Sequence, residues 1–275
     1  MSLKINNLQT QLPTGSVVIV YDIEGVGNVS DPASCYMWNL SAAVMGQPNN
    51  VFDQYIDPPL QVIPDPPNPK LFKVTKEFLK DANAQQCGDV LRYFFKWISN
   101  NSNPQTGYVV LVSHGNFRYD QPLLEKEMRR HAIEPCPNLY FFDTLYWFRN
   151  IKKNRRSYSL NNLYYEQFKK PVRNAHLSLF DVHALYDLIE AQNKVMNGIM
   201  YKYDSTSLLT VPSIGLYTEN LLFNANIDSV EQLVFKFIND YKYNPMLLQQ
   251  ALVKINVRPC IAATVAHTVA NSYVF

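Results

Sequence analysis

Five short segments carry the hydrophobic pattern of β-strands. Residues 17–21, 108–112 and 139–142 are almost continuous apolar runs, which is typical of strands buried on both faces of a sheet. Segments 36–45 and 51–56 are the other two candidates. The pattern therefore predicts a sheet of five strands.

Apolar residues at helical spacing predict several helices between and after these strands. One begins at Thr75, one ends at Asn100-Asn101, and the others cover about 119–131, 158–168 and 177–196. Residues 57–69 hold six prolines and are expected to form an extended surface loop. Strands that alternate with helices favour an α/β layered fold, in which ligands bind at the carboxyl ends of the strands.

The chain changes character near Asp204, because the pattern beyond it predicts only helices and turns. We expect a polar leader over 1–15, an α/β domain over 16–200 and a small all-α module over 207–275. The boundary is placed at about 200–207.

Composition narrows the class of protein. Of the 275 residues, 47% are hydrophobic and 17% are charged, which allows a full core and argues against a disordered chain. The net charge of +2 means that any hold on nucleic acid must come from local basic patches and metal ions. The four cysteines form no Cys-x-x-Cys pair, and no apolar run approaches the ~20 residues of a membrane span. With no signal-peptide core at the N-terminus, we expect an intracellular, soluble protein without a membrane partner.

Two carboxylates stand at the end of the first strand. Asp22 and Glu24 are two residues apart, so both extend from the same face of an extended segment. Like charges this close repel unless one is protonated or a cation lies between them, and hard oxygen ligands suit Mg²⁺ or Mn²⁺. A solvated strand end is the alternative interpretation.

Two later segments contribute one acid each. Asp120 lies about one turn into the helix that follows the strand at 108–112, where an ordinary first-turn acid is the alternative. Asp181 is expected on the helix over 177–196, with His176 in the loop before it. A histidine beside an aspartate is often structural. The catalytic interpretation of this motif therefore depends on Asp181, because it is an acid from a third segment.

In this order the motifs resemble those of the DEDDh 3′→5′ exonuclease family. They are Asp22-x-Glu24, Asn116-x-x-x-Asp120 and His176-x-Ser178-x-x-Asp181. Connecting segments resemble the family too, at Val74-Thr75, Phe142-Asp143-Thr144-Leu145 and 158–163. The resemblance covers about residues 16–192 and implies a ribonuclease-H-like fold, with a mixed five-stranded sheet flanked by helices.

The resemblance also implies the chemistry. Two divalent cations, Mg²⁺ or Mn²⁺, would be bound by four acids: Asp22, Glu24, Asp120 and Asp181. His176 would take the proton of the attacking water. The substrate would be the 3′ end of DNA or RNA, and the products nucleoside monophosphates.

The sequence departs from the family pattern at three places. Gly25-Val26-Gly27 replaces a usual Thr-Thr-Gly, and we expect its backbone N–H groups to approach the terminal nucleotide. Gly115 stands where a histidine is usual, and Ser178 replaces a usual alanine. No metal ligand is lost, and Asn116 is expected to contact the substrate.

The densest basic run is a candidate for contacts with the phosphates of the substrate strand: Lys152, Lys153, Arg155 and Arg156. A merely solvated basic surface is the alternative.

Residues 211–222 and 227–233 resemble a helix-hairpin-helix element, whose Gly-containing turn donates backbone N–H groups to a phosphate. That turn would be Ile214-Gly215. One glycine of the usual pair is absent, because Ser213 stands in its place. A structural helical pair or a module that docks a protein partner is an equal alternative.

Three functions are therefore compatible with the sequence. The first is a 3′→5′ exonuclease, the second a nucleic-acid-binding or scaffold protein on an inactive exonuclease fold, and the third a two-metal enzyme for another phosphate ester. The presence of all four acids and the histidine favours the first, because inactive relatives usually lose a ligand.

Overall fold

The computed structural model describes residues 12, 14–27, 35–60, 63, 73–103, 106–174, 176–192, 196, 200–203, 211, 213–214, 216–227 and 230–272. The chain divides into two compact units. The α/β unit contains Leu3–Gly27 and Tyr36–Tyr203, and the helical unit contains Asp204–Phe275 with the segments Met1–Ser2 and Asn28–Cys35. The division follows Tyr203, and the assignment of the two units as separate domains stays a prediction.

A mixed sheet of six strands forms the centre of the α/β unit, in the order β3-β2-β1-β4-β5-β6. The strands are β1 (Val17–Val26), β2 (Tyr36–Val44), β3 (Gln47–Tyr55), β4 (Val109–Ser113), β5 (Leu139–Asp143) and β6 (Met200–Lys202). β1, β4 and β5 run parallel, and the other strands pair antiparallel with their neighbours. The five predicted strands are confirmed, and the short edge strand β6 adds a sixth that the hydrophobic pattern did not predict.

Six α-helices occur among the described residues of this unit. They are α1 (Lys76–Asp81), α2 (Cys87–Asn101), α3 (Asp120–Arg130), α4 (Thr144–Ile151), α5 (Leu160–Phe168) and α6 (Ser178–Ala191). α1 begins after Thr75 as predicted, because the Thr75 side chain accepts a hydrogen bond from the Phe78 N–H at 3.1 Å. The pattern did not predict α4. Its eight residues follow β5 without a break, so its apolar residues were not separated from those of the strand.

The helices cover both faces of the sheet. On one face, Val20, Val112 and Phe142 belong to one buried cluster with α6 residues such as Leu185. Alternation along the strands turns their neighbours, such as Tyr21, towards the other face. There Phe52 of β3 packs on Phe94 of α2, with ring centroids 5.2 Å apart.

The carboxyl ends of the three parallel strands carry polar residues and meet at one edge of the sheet. β1 carries Asp22 and Glu24 near its end, β4 ends at Ser113, and β5 ends at Asp143. Ligands of α/β sheets bind at such carboxyl ends, so this edge positions the candidate site.

The helical unit consists, among its described residues, of four helices around a core of its own. They are α7 (Leu216–Asn224), α8 (Val230–Asn239), α9 (Pro245–Lys254) and α10 (Pro259–Ser272). Leu222, Leu233, Leu252 and Val265 are fully buried there. No described helix of the chain is both long and apolar enough to cross a bilayer.

Candidate active site

The two acids of β1 lie on a strand that is longer than predicted. The apolar run ends at Asp22, but β1 continues to Val26 because its pairing with β2 continues. The register shifts between Glu24 and Gly25, which is a bulge in the ladder. Asp22 and Glu24 therefore stay on one face of a paired strand, next to Ser41 and Asn39 of β2.

Asp120 is the first residue of α3, and two hydrogen bonds fix its carboxylate beside β1. The Ile23 N–H donates to Oδ1 at 3.1 Å, and the Ser113 hydroxyl donates to Oδ2 at 2.5 Å. The side chain is only 4% exposed. Sequence reasoning missed Ser113, although a polar residue that ends an otherwise apolar strand is a usable signal.

His176 and Asp181 reach the same edge from the start of α6. The His176 N–H donates to Asp181 Oδ2 at 3.0 Å, and this bond accompanies a left-handed backbone at His176, with φ of 71°. One ligand atom each of Glu24, His176 and Asp181 lie within 4.8 Å of one another. His176 is exposed, so its imidazole lies at the open side of the carboxylate group.

A buried polar network docks α6 onto the sheet. The Ser178 hydroxyl donates to Asn39 Oδ1 at 2.5 Å and contacts the Ser41 hydroxyl, which donates to Asp53 Oδ1 at 2.6 Å. Ser178 precedes Asp181 by one turn of helix, so this anchor sets where the Asp181 carboxylate lies. The network explains the serine in place of the family's usual alanine. Its members on β2 and β3 are far away in sequence, and no local pattern indicated them.

Burial raises the pKa of each of the four carboxyl groups, and the neighbouring acids of the group raise the pKa values of Asp22 and Glu24 further. Burial is the largest cause for each, and it raises the pKa of Glu24 to about 9 and that of Asp120 to about 7. The pKa of Asp22 is raised well above its usual value, by burial and then by the charges of Asp120, Glu24 and Asp181. Burial also raises the pKa of Asp181. Ionisation of all four in this buried position is therefore unfavourable, and a bound cation would offset that cost.

This donor set fits a divalent cation. Carboxylate oxygens are the ligands that hard divalent ions prefer. Among the described residues, no Lys or Arg lies within ion-pair distance of the four acids. A cation bound there would supply positive charge that the described Lys and Arg residues do not.

Asn116 does not face this open edge. Its side chain is fully buried, where Oδ1 accepts from the Tyr21 hydroxyl at 2.5 Å and Nδ2 donates to the Phe142 carbonyl at 3.0 Å. This burial argues against the predicted substrate contact, because both polar ends of the amide are already bonded to protein. Asn116 instead ties the loop after β4 to β1 and β5.

Asp143 closes the same loop from the end of β5. Its carboxylate accepts from the N–H groups of Gly115 at 2.8 Å, Phe117 at 3.3 Å and Leu145 at 2.9 Å. It thus caps α4 and shapes the turn that leads to Asp120. Sequence reasoning noted Asp143 without assigning this role.

The glycine segment after Glu24 has packing roles. A Cβ at Gly25 would lie 2.6 Å from the Tyr119 hydroxyl, so no other residue fits there without a shift. Val26 is buried in a small apolar cluster with Trp38. Gly27 has a φ of 94°, which favours glycine. Contact of these backbone N–H groups with a nucleotide stays a prediction.

The basic run lies between α4 and α5, and its four basic side chains differ in exposure and in their contacts. Lys152 is half-buried with Nζ 3.5 Å from Gln167 Oε1, and Arg155 forms an ion pair with Glu166. Lys153 and Arg156 are exposed.

The predicted phosphate-binding turn of the helical unit is not tested. Ile214 is 4% exposed and packs in the core of that unit, and Gly215 lies outside the described residues. The nearest strand before this turn among the described residues is β6, and α7 follows the turn. The helix-hairpin-helix interpretation stays a prediction.

Comparisons with known proteins identify exonucleases as similar to this chain. The family model RNase_T, described as exonuclease, matches residues 37–189, which is more than half of the chain. The match includes Asn116, Asp120, His176 and Asp181 and begins after Asp22 and Glu24.

Two curated relatives match a shorter part. The chain is 31% identical to Three prime repair exonuclease 2 of Homo sapiens over 107 residues, which cover 36% of this chain and 44% of that protein. For the Mus musculus protein the identity is 33% over 90 residues, covering 30% and 38%. The match thus spans less than half the length of each relative.

Solved structures share the fold. The nuclease domain of 3′hExo, a DEDDh family member bound to rAMP, aligns with a TM-score of 0.52 and 14% identity, over 69% of this chain and 98% of that one. A 3′-exonuclease with a histone mRNA stem-loop aligns with a TM-score of 0.50 and 12% identity, over 72% and 74%. The ribonuclease-H-like fold expected from the motifs is thereby confirmed, and the chain belongs to the exonuclease family.

Proposed function

We propose that this protein is a 3′→5′ exonuclease that hydrolyses phosphodiester bonds at the 3′ end of DNA or RNA and releases nucleoside monophosphates. The observation that carries the proposal is the group of four uncompensated carboxylates at one sheet edge, with His176 exposed beside them. The curated relatives, named three prime repair exonucleases, support the direction of cleavage. The neighbours bound to rAMP and to an RNA stem-loop support a nucleic-acid substrate.

The proposed cofactors are two divalent cations, Mg²⁺ or Mn²⁺, held by the four acids directly or through water. When bound, such ions lower the pKa of a coordinated water and stabilise charge on the attacking and leaving oxygens. Asp22 and Glu24 present their carboxylates from one face of β1. Ser113 and the Ile23 N–H hold the Asp120 carboxylate at the end of the same strand. The acids are thus placed before any ligand arrives.

His176 is proposed to take the proton from the attacking water. An imidazole titrates near neutral pH, which suits it to this task. Its backbone N–H is bonded to Asp181, so the base is held beside one of the metal ligands. Its exposure leaves the ring free to reach a water on the substrate side.

Lys153 and Arg156 are the main candidates for binding the phosphates of the substrate strand. Both are exposed, whereas Arg155 is engaged by Glu166 and Lys152 is half-buried. Each phosphate that such a cation neutralises releases counterions, so their removal should weaken binding and make its salt dependence shallower.

Degradation of end-labelled oligonucleotides tests the proposal. With Mg²⁺ or Mn²⁺, a 5′-labelled strand should shorten stepwise from its 3′ end, and a 3′-terminal phosphate should slow the reaction strongly. EDTA should stop it. Parallel DNA and RNA, single-stranded and duplex, identify the preferred substrate.

Two outcomes would overturn the assignment. Cleavage of a circular single strand would indicate an internal nuclease instead. Tight binding of oligonucleotides without any metal-dependent hydrolysis would favour the scaffold protein.

A further inference from the structure

A second cluster of metal-binding side chains lies at the other end of α3. It consists of Cys87, the first residue of α2, Glu127 in the last turns of α3, and His131, which follows α3. Cys87 Sγ lies 3.6 Å from Glu127 Oε2, and His131 Nε2 lies 3.6 Å from the same oxygen. All three donor atoms lie within 4.8 Å of one another.

These separations match those around a tetrahedral metal. Zinc bonds are about 2.3 Å to sulfur and 2.0–2.1 Å to nitrogen or oxygen, so neighbouring donor atoms lie roughly 3.3–3.6 Å apart. The two measured distances of 3.6 Å fall at that spacing. The third pair, Cys87 and His131, has donor atoms within 4.8 Å of one another, so side-chain rotation could close the set around one cation.

Neighbouring residues orient the carboxylate towards the other two donors. Arg130 Nη1 donates to Glu127 Oε1 at 2.6 Å, which leaves Oε2 to Cys87 and His131. The Arg130 guanidinium in turn lies over the Tyr36 ring, 4.4 Å from its centroid. Such outer contacts fix ligand geometry in metal sites.

The cluster is buried on one side and open on the other. Cys87 and Glu127 are buried, whereas the His131 side chain is 32% exposed and gives a path from solvent. A Cβ at position 88 would lie 3.0 Å from His131 Nδ1, so Gly88 leaves the room that this ring occupies. Burial and the nearby Glu127 raise the pKa of the Cys87 thiol, and a bound cation would reverse that effect.

We propose that Cys87, Glu127 and His131 bind one thiolate-preferring divalent cation of the zinc class, which joins α2 to α3. A water completes the tetrahedron, and the thiol proton leaves to solvent when the metal binds. Asp120 and Glu127 are seven residues apart on α3, so the site lies about 10 Å along the helix from the catalytic carboxylates. The proposal is independent of the nuclease activity.

Cobalt titration of the full chain tests the site directly. Co²⁺ bound to a thiolate gives an intense near-ultraviolet charge-transfer absorption, and the carboxylate site holds no sulfur that could produce it. In the wild type we expect this absorption to saturate at one equivalent of Co²⁺ per chain. Added Zn²⁺ should displace the Co²⁺ and abolish the absorption. It should vanish in Cys87→Ser and persist in the matched controls Cys136→Ser and Asp181→Asn. Absence of the band in the wild type, or its loss with Cys136 instead of Cys87, would overturn the proposal.

A second variant covers the case in which Cys87→Ser does not fold. His131→Ala removes a ligand that is one third exposed, and circular dichroism checks its fold. In an Asp181→Asn background, Zn²⁺ should raise the Tm of the protein with His131 intact, and His131→Ala should weaken Zn²⁺ binding at least about tenfold. An equal rise of Tm in both proteins would show that the cluster is an ordinary thiol and ion-pair contact.

Discussion

α3 has a group of ionisable side chains at each end, and the two groups differ in what compensates their charge. At its start, Asp120 lies near three other acids, and the pKa values of all four are raised, chiefly by burial. At its end, Glu127 is equally buried but lies 2.6 Å from Arg130 and 3.8 Å from Lys126. Ionisation of the first group is unfavourable without a cation, so charge would be what selects a ligand there. In the second the charge is already compensated, and sulfur and nitrogen donors must make the selection.

The largest effect is expected from removing charge at the first group. Asp181→Asn should lower the hydrolysis rate by about 10³-fold or more, because charge stabilisation by bound metal is worth several kcal/mol. The fold should be retained, since the change relieves repulsion in the metal-free protein. Single-turnover kinetics and circular dichroism measure both.

Asp187→Asn is the matched control for this variant. Asp187 is an exposed acid on the same helix, and its replacement should leave the rate unchanged. If Asp181→Asn retains the wild-type rate, the carboxylate group is not the catalytic site and the contrast between the two ends of α3 disappears.

The second-largest effect is expected from removing the proposed general base, His176. His176→Ala should lower kcat by about 10²–10⁴-fold with little change in substrate affinity, because the acids and strand contacts remain. The wild-type rate should rise with pH as the general base loses its proton, and the variant should lose this limb. His183→Ala, on the same helix but about 200° round its axis from Asp181, is the control. An unchanged pH profile in His176→Ala would make His176 a structural residue.

The same comparison shows what the sequence could predict. The candidate catalytic acids lie near the end of a strand or begin a helix, so strand patterns and motif order predict that Asp22, Glu24 and Asp120 lie at one sheet edge. The burial of Asn116 and the bonds of Ser178 depend on how separate strands and helices pack. In the second group, Glu127 and His131 are four residues apart, which is a local signal for two of the three donors. Cys87 joins them only through the contact of α2 with α3, and no local spacing indicates it.

The third prediction is the pH dependence of stability without metal. Unfolded Asp and Glu titrate near 4, whereas the folded pKa is about 7 for Asp120 and about 9 for Glu24. A raised pKa means that the folded state holds more protons, so the contribution of these groups is full below about pH 4 and is lost as pH rises through about 9. In EDTA, Tm should therefore fall across this window.

Two experiments, addition of Mg²⁺ and the variant Asp22→Asn, separate the effect of these acids on Tm from the titration of other groups. Excess Mg²⁺ should flatten the fall in Tm between about pH 5 and 9, because bound cations compensate the ionised carboxylates. Asp22→Asn should flatten it without Mg²⁺. A slope that neither change alters would mean that the acids do not repel one another in the folded protein.

The smallest effect is expected at the other end of α3. Arg130→Gln removes the nearer of the Arg130 and Lys126 cations beside Glu127, and the free energy of unfolding should fall by about 1–2 kcal/mol, because Glu127 is 1% exposed and Arg130 is partly exposed. The exposed pair of Arg92 and Asp89 is the control, with side chains 61% and 51% exposed, and Arg92→Gln should change stability by less than about 0.5 kcal/mol. Urea unfolding of both variants in EDTA gives the two values, and the hydrolysis rate should be unchanged in each. Equal values for the two variants would show that Glu127 needs no compensation, and the distinction between the two ends of α3 would then rest on ligand chemistry alone.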